Sequence, residues 1–254
     1  MPLTRRHFAP PSLRFTTFLR ANRFFLLGVV LLILGFLYLV LTNQQGDELV
    51  LINQLRTPTY DRLFMAGTRL GEPIAYIIVL VIFLTYRVRT AIFSALTGGA
   101  VAIITGLLKL YFAEARPMRY LFDNARGVWD NLNLFDESMR NWGYTSFPSG
   151  HTASAFALYS FVCFNVRRPK ILVSILCFLL AAEVAFSRMY LLYHFLRDVT
   201  AGALVGLLIG IAMFFLQWRV KPDTQWLNDG LWWSKGSSLP PVESSVAPNP
   251  PNET

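Results

Sequence analysis

The sequence predicts an all-α fold: a polytopic membrane protein built as a six-transmembrane-helix bundle. Composition is the first observation: 254 residues, 54% apolar, only 15% charged, mean hydropathy +0.43. A soluble domain carries about 25% charged residues. The second is clustering, since the apolar residues collect in runs near the ~20 residues that a helix needs to cross a bilayer. The third concerns charge. The net charge of +8 resides in short Lys/Arg clusters between those runs and forms no continuous basic face. That pattern reports membrane orientation and argues against a nucleic-acid partner.

The spans fall at 24–42, 72–86, 90–112, 150–166, 170–187 and 198–218. The first, FFLLGVVLLILGFLYLVLT, holds no charge. The second, fourth and fifth are shorter or carry polar residues, as expected of helices facing a protein interior. The first run is too long for a signal-peptide core and is followed by TNQQGDE with no small-residue cleavage pattern, so it reads as a retained anchor. Thr4-Arg5-Arg6-His7-Phe8 faintly resembles a twin-arginine signal, but a basic tail before a first helix is the commoner arrangement. Residues 1–23 therefore read as a basic cytoplasmic tail and 24–218 as the membrane domain.

With the N-terminus inside, the inner segments carry thirteen basic residues against four acids, while the outer ones carry nine against ten. This asymmetry places both termini in the cytoplasm. Two longer segments, 43–71 and 113–149, then lie outside with a short one at 188–197. DELVLINQLR and DRLFMAGTRL in the first are amphipathic; they suit either the membrane interface or a packed cap over the bundle. Residues 219–254 end in SSLPPVESSVAPNPPNET, a Pro/Ser composition that cannot build a core and is expected to be disordered. Cys163 and Cys177 lie inside apolar runs and read as small hydrophobes.

Three clusters carry possible chemistry. Lys109 and Arg116 are two helical turns apart, so one helix carrying both would present them on one face, with Pro117 ending or redirecting it. Phe147-Pro148-Ser149-Gly150-His151 opens the fourth span, where Ser and Gly suit an N-cap and unpaired N–H groups favour an anion. Ser187-Arg188 is followed by His194 and Asp198, spaced i, i+4, so a carboxylate at a helix start can reach one imidazole nitrogen while the other points away. Each cluster alone has an ordinary reading: snorkelling cations, a capped turn with a solvated His, a structural His/Asp pair. Hydropathy and loop charge, however, put all three on the same membrane face. Two of the three histidines fall in them, and His7 in the basic tail is most simply solvated.

Taken together, Lys109 to Arg116-Pro117, Pro148-Ser149-Gly150-His151, and Ser187-Arg188 to His194 to Asp198 match K-x6-RP, PSGH and SR-x5-H-x3-D without departure. The chain thus resembles the type 2 phosphatidic acid phosphatase family. The resemblance implies an active site at one membrane face in which His194 attacks phosphorus to give a phosphohistidine, Asp198 fixes its tautomer, and His151 acts as acid and then base. It implies that Lys109, Arg116 and Arg188 hold the phosphoryl oxygens, aided by Ser149 and Gly150. Metal ligands are none and cofactors none, because three cations stand where a metal would, and activity should survive a chelator. The implied partners are a membrane lipid phosphate and the bilayer, with no nucleic acid. The pattern carries no information on oligomeric state.

The resulting expectation is a membrane lipid phosphatase acting on a phospholipid, undecaprenyl pyrophosphate or lipid A type substrate at the outer face of a bacterial inner membrane. A lipid phosphotransferase would use the same histidine, and a noncatalytic lipid-binding protein or transporter would need only the cations. Glu183, about one turn before Ser187 in the fifth span, suits either a partner for a basic site residue or a structural hydrogen bond. Gly202, Gly206 and Gly210 form two small-xxx-small steps expected to pack the sixth helix tightly.

Overall fold

A computed structural model describes residues 14–134, 141–220 and 225–231. The described residues form helices and contain no strand. In chain order they are α1 (Phe15–Thr42), α2 (Asp47–Asn53), α3 (Pro58–Thr68) with a 3-10 turn (Arg69–Gly71), α4 (Pro73–Tyr86) and α5 (Val88–Phe112). These are followed by α6 (Pro117–Asn124), α7 (Arg126–Trp129), α8 (Gly150–Asn165), α9 (Lys170–Tyr190), α10 (Leu196–Arg219) and the short α11 (Gln225–Asn228). Local chemistry sets many of these bounds. Pro58, Pro73 and Pro117 each open a helix at the first turn, where a missing N–H costs nothing. Thr57 and Ser149 cap α3 and α8 by accepting the Tyr60 and Thr152 amides.

Helices α1, α9 and α10, together with the run from Val88 to Asn124, are long and apolar enough to cross a membrane. The segments Pro58–Gly71 and Pro73–Tyr86 meet at 53° and would form a fifth span if taken as one. Helix α8 has 16 residues, which gives about 24 Å of helix. It is the central element, with α5, α9 and α10 packed around it. The outer surface suits hydrocarbon, with Leu41, Leu107, Leu110 and Leu208 all more than half exposed. By contrast α8 is buried along most of its length.

The expected glycine packing is found where α10 meets α8. A Cβ on Gly202 would stand 2.6 Å from the Ser149 carbonyl oxygen, and one on Gly210 would stand 2.7 Å from Ser160 Cβ. Gly206 lies equally tight against the Ala153 carbonyl. Absence of side chains lets the two backbones approach, and that approach puts the start of α10 beside the start of α8.

Several boundaries differ from those expected. Helix α1 begins nine residues before position 24 and takes in Arg20 and Arg23, the latter stacked over the Phe24 ring at 4.8 Å. Residues 1–13 of the basic tail lie outside the described residues, as do 221–224 and 232–254 of the C-terminal segment. Within that segment, residues 225–231 return to the bundle: Val88 donates to the Asp229 carbonyl at 3.0 Å and Leu231 to the Leu84 carbonyl at 2.9 Å. The buried Arg89 draws them in, donating to Asn228 Oδ1 at 2.9 Å and to the carbonyl of Gln217 at the end of α10 at 2.7 Å.

The segment between α1 and α4 is a packed cap. Phe64 of α3 lies against Phe186 and Tyr190 of α9, and Tyr190 donates its hydroxyl to Asp61 at 2.9 Å. Both cysteines are buried with free thiols.

Candidate functional site

Lys109 and Arg116 do not share a helix. Helix α5 stops at Phe112, where Ala113 takes a left-handed φ of 45°, and Arg116 is the N-cap of α6. The residue before a proline is disfavoured in helical conformation, so Pro117 ends one helix early and starts another. The extended 113–116 link still returns Arg116 to the site. Its amide donates to the Gly143 carbonyl at 2.8 Å, Nη1 donates to Asn141 Oδ1 at 2.7 Å, and Nη2 donates to Thr145 Oγ1 at 3.3 Å.

Ser149 is buried as the N-cap of α8, its hydroxyl 2.9 Å from that of Thr152. Gly150 begins the helix beneath Lys109: a Cβ there would be 3.6 Å from Lys109 Nζ and 3.7 Å from Thr105 Oγ1. His151 follows in the first turn, with its side chain 37% exposed. Arg188, His194, Lys109 and Arg116 all lie within electrostatic reach of it.

His194 sits in the turn between α9 and α10 rather than on a helix; Phe195 is the N-cap and Asp198 the third helical residue. The Tyr193 and His194 amides both donate to the Arg188 carbonyl, at 2.9 and 3.2 Å, which folds the turn back on α9. His194 Nδ1 stands 3.5 Å from Asp198 Oδ2, with side-chain exposures of 1% and 0%. That oxygen accepts the Phe195 amide at 3.0 Å and the Ser146 hydroxyl at 2.5 Å. Burial, followed by the charges of Arg188, Arg116 and Lys109, holds the His194 imidazole well below its ordinary pKa. Nδ1 is the ring nitrogen that faces the carboxylate, and it has no hydrogen-bond partner among the described residues.

Arg188 is buried, donates Nη1 to Thr68 Oγ1 at 2.9 Å, and stacks over Tyr193 at 4.2 Å. Its Nε has no hydrogen-bond partner among the described residues. A buried guanidinium with an unsatisfied donor suits an anionic ligand. All eight sequence-predicted site residues thus gather at the end of the bundle where α5, α8, α9 and α10 meet.

Glu183 packs against Gly67, where no Cβ would fit, and its Oε1 has no hydrogen-bond partner among the described residues. It touches none of the site cations named above.

Other residues join the site without having been singled out in the sequence. Ser146 bridges two clusters through Asp198. Its amide also donates to the Glu114 carbonyl at 3.0 Å, and the Glu114 side chain pairs with Arg197. Glu72, at the N-cap of α4, places Oε1 3.9 Å from His151 Nε2. Gly71 makes that approach possible, since a Cβ there would stand 2.8 Å from the His151 carbonyl oxygen. Glu72 gave one signal in the sequence, an acid at the outer end of a span; Ser146 gave only its position just before the Pro-Ser-Gly-His run.

Comparison with known proteins places this arrangement. The chain is 28% identical over 174 residues to phosphatidylglycerophosphatase B of Bacillus subtilis, covering 64% of this chain and 75% of that one. It is 29% identical over 157 residues to lipid phosphate phosphatase 2 of Arabidopsis thaliana, and 29% identical over 129 residues to a PA-phosphatase related-family protein of Dictyostelium discoideum. The matches cover 55% and 46% of this chain, and 53% and 44% of those relatives, so the chain spans about half their length.

The crystal structure of Aquifex aeolicus LpxE superposes with a TM-score of 0.54 at 26% identity, over 66% of this chain and 93% of that one. The Bacillus subtilis transmembrane PAP2 type phosphatidylglycerolphosphate phosphatase gives 0.56 at 24% identity, over 78% and 99%, a likeness of fold. The family model described as the PAP2 superfamily matches residues 89–222, a stretch that runs from the first turn of α5 to the end of α10 and contains all eight of those site residues. With more than half of its length inside that match, the chain belongs to the PAP2 superfamily.

Proposed function

We propose that the chain is a metal-independent lipid phosphatase that hydrolyses a phosphate monoester or diphosphate of a lipid through a phosphohistidine. The observation that carries this reading is the meeting of a buried His194 with Lys109, Arg116 and Arg188 beside the partly open His151. Similarity to relatives named as lipid phosphatases supports it.

In the first step His194 Nε2 attacks phosphorus, the P–N bond forms, and the P–O bond to the lipid breaks as His151 gives its proton to the leaving oxygen. The Nδ1–H stays on the side of Asp198, whose negative charge offsets the cation that forms. In the second step His151 takes a proton from water, the resulting hydroxide attacks phosphorus, the P–N bond breaks, and phosphate departs. Lys109, Arg116 and Arg188 surround the oxygens that carry charge in both transition states, and Ser149 and Gly150 line the same end of α8. These fixed cations supply the charge that a metal would otherwise bring.

The six-span topology, with α4 and α8 as the two short spans, belongs to this proposal. It sets both termini in the cytoplasm and the site at the outer face of a bacterial-type inner membrane. A lipid phosphate held at that surface has its tails in the bilayer and its ester at the site.

The test offers purified protein phosphatidylglycerophosphate, phosphatidic acid, undecaprenyl pyrophosphate and lipid A singly, in EDTA, and measures released phosphate. Release from one lipid without an acceptor supports hydrolysis. Release only when a second lipid is added would identify a phosphotransferase, and loss in EDTA would overturn the metal-independent mechanism.

A further inference from the structure

Helix α8 runs from the site to Asn165, about 24 Å away at the other end of the bundle. There α1, α10 and the turn between α8 and α9 enclose a second cavity of about 380 Å3. One wall is aromatic: Phe18 of α1 packs on Phe164 of α8 and Phe214 of α10, with ring centroids 4.9 and 5.1 Å apart. The rim carries Arg167, Arg168 and Lys170. The volume falls in the range of sites that hold a small molecule, about 300–1,000 Å3.

The three cations have different roles. Lys170 turns back to the end of α8, where Nζ donates to the Cys163 carbonyl and, at 3.2 Å, to the Val166 carbonyl, oxygens that a helix end leaves open. Arg167 and Arg168 are exposed, and neither has a carboxylate partner among the described residues. Arg167 also lies within electrostatic reach of Lys170, a crowding of like charge that an anion relieves. Helix α9 opens beside them on Pro169 with no side-chain cap and no acid in its first turn, so its N-terminal amides add to the positive end.

Asn22 adds a buried polar atom to the same cavity. It is 2% exposed and donates Nδ2 to the Phe18 carbonyl at 2.9 Å, while its Oδ1 has no hydrogen-bond partner among the described residues. A buried acceptor calls for a donor. We propose that this cavity binds the headgroup of an anionic phospholipid, its phosphate held by Arg167 and Arg168 and a headgroup hydroxyl donating to Asn22. A lipid fits better than free phosphate because the aromatic wall continues outward to Phe15, which stacks on Phe18 at 6.3 Å and is 60% exposed, a surface suited to acyl chains. On the topology proposed above this end meets the inner leaflet, where anionic lipids gather at Lys/Arg clusters. The binding chemistry itself does not depend on the phosphatase reading.

The experiment titrates dioleoyl phosphatidylglycerol into the full-length protein in a neutral detergent and reads Tm. This lipid is a phosphodiester, which the proposed hydrolysis leaves intact. It should raise Tm by about 5 °C at saturation, while dioleoyl phosphatidylcholine and inorganic phosphate each move it by less than about 1 °C. Arg167→Gln combined with Arg168→Gln should abolish the rise and keep phosphate release in plain detergent within twofold. No rise in the unsubstituted protein, a rise that persists in the double variant, or one that inorganic phosphate reproduces would overturn the proposal. Phosphatidylmethanol, with the same charge and no headgroup hydroxyl, should give roughly half the shift; an equal shift would overturn the contact assigned to Asn22.

A phosphatidylglycerol with a photoactivatable group near its glycerol backbone reads the location without turnover. It should label peptides from the start of α1 and from the turn that holds Arg167 and Arg168, and lose that labelling in the double variant. Labelling there by a protein that releases no phosphate from any lipid would count against the phosphatase reading and leave this site standing. Labelling confined to peptides around His151 and His194 would overturn the second site.

Discussion

The amide of Ser149 donates to the main-chain carbonyl of Asp198 at 2.9 Å. This bond ties the cap of α8 to the first turn of α10, so the segment that carries His151 and the one that carries His194 are fixed to each other by backbone. Gly202 stands beside the joint, with no room for a Cβ against the Ser149 carbonyl. Gly202→Ala should therefore push the helices apart and cost about 1–3 kcal/mol, the usual range for overpacking. The expected outcome is a Tm lowered by several degrees and phosphate release reduced at least tenfold. An unchanged Tm with full activity would show that the joint is not needed.

Ser146 donates to the carboxylate oxygen nearest His194. A hydrogen bond to a charged group contributes about 1.5–3 kcal/mol. Ser146→Ala should leave that oxygen held by the Phe195 amide alone and loosen its aim at His194, lowering kcat by roughly 10- to 100-fold at little change in KM. Ser146→Thr, which keeps the hydroxyl, should recover most of the loss. Steady-state kinetics on one lipid checks both variants.

Burial, and then the charges of Arg188, Arg116 and Lys109, hold the folded pKa of His194 below the unfolded value near 6.5. Below that pH the unfolded chain binds a proton at His194 that the folded chain does not, and stability contributed by this residue falls as pH falls. Nitrogen-15 NMR of histidine-labelled protein in detergent should find a neutral imidazole at pH 6 that becomes protonated only at more acidic pH. Replacing His194 with Gln should flatten the dependence of Tm on pH below about 6.5.

Glu72 faces His151 at 3.9 Å in a pocket otherwise lined by cations. A carboxylate there offsets part of that positive field while the imidazole carries the proton destined for the leaving oxygen. With both side chains more than a third exposed, the pair contributes about 1 kcal/mol. Glu72→Gln should lower kcat about fivefold for an alkyl ester, a poor leaving group, and leave p-nitrophenyl phosphate nearly unaffected. Equal losses on both substrates would assign Glu72 a structural role.

The parts of this molecule legible in the sequence are those with a strong local signal. Apolar runs marked the segments that form α1, α4, α5, α9 and α10, and Ser149 marked the start of α8. Gly202, Gly206 and Gly210 marked the face that meets another helix. The residues that escaped notice act through distance in the chain. Ser146 reaches Asp198 across fifty-two positions, and Thr68 reaches Arg188 across one hundred and twenty. Neither contact has a periodicity to betray it. The spacing of Lys109 and Arg116 shows the limit of such reading: seven residues imply a shared helix face only if the helix continues, and Ala113 turns the chain away before it can. Residues 225–231 read as part of a Pro/Ser tail because the buried cation that recruits them, Arg89, lies 139 positions before its partner Asn228.

The central claim is that phosphorus passes through His194. Rapid acid quenching of the protein with a phosphorus-32 labelled lipid phosphate, followed by peptide mapping at high pH, where a phosphoimidazole survives, measures it directly. The account predicts label on the peptide containing His194, accumulating when His151 is replaced with Asn and absent when His194 is replaced with Ala. Phosphate release at the full rate from the His194→Ala protein, or label on any other residue, would contradict it.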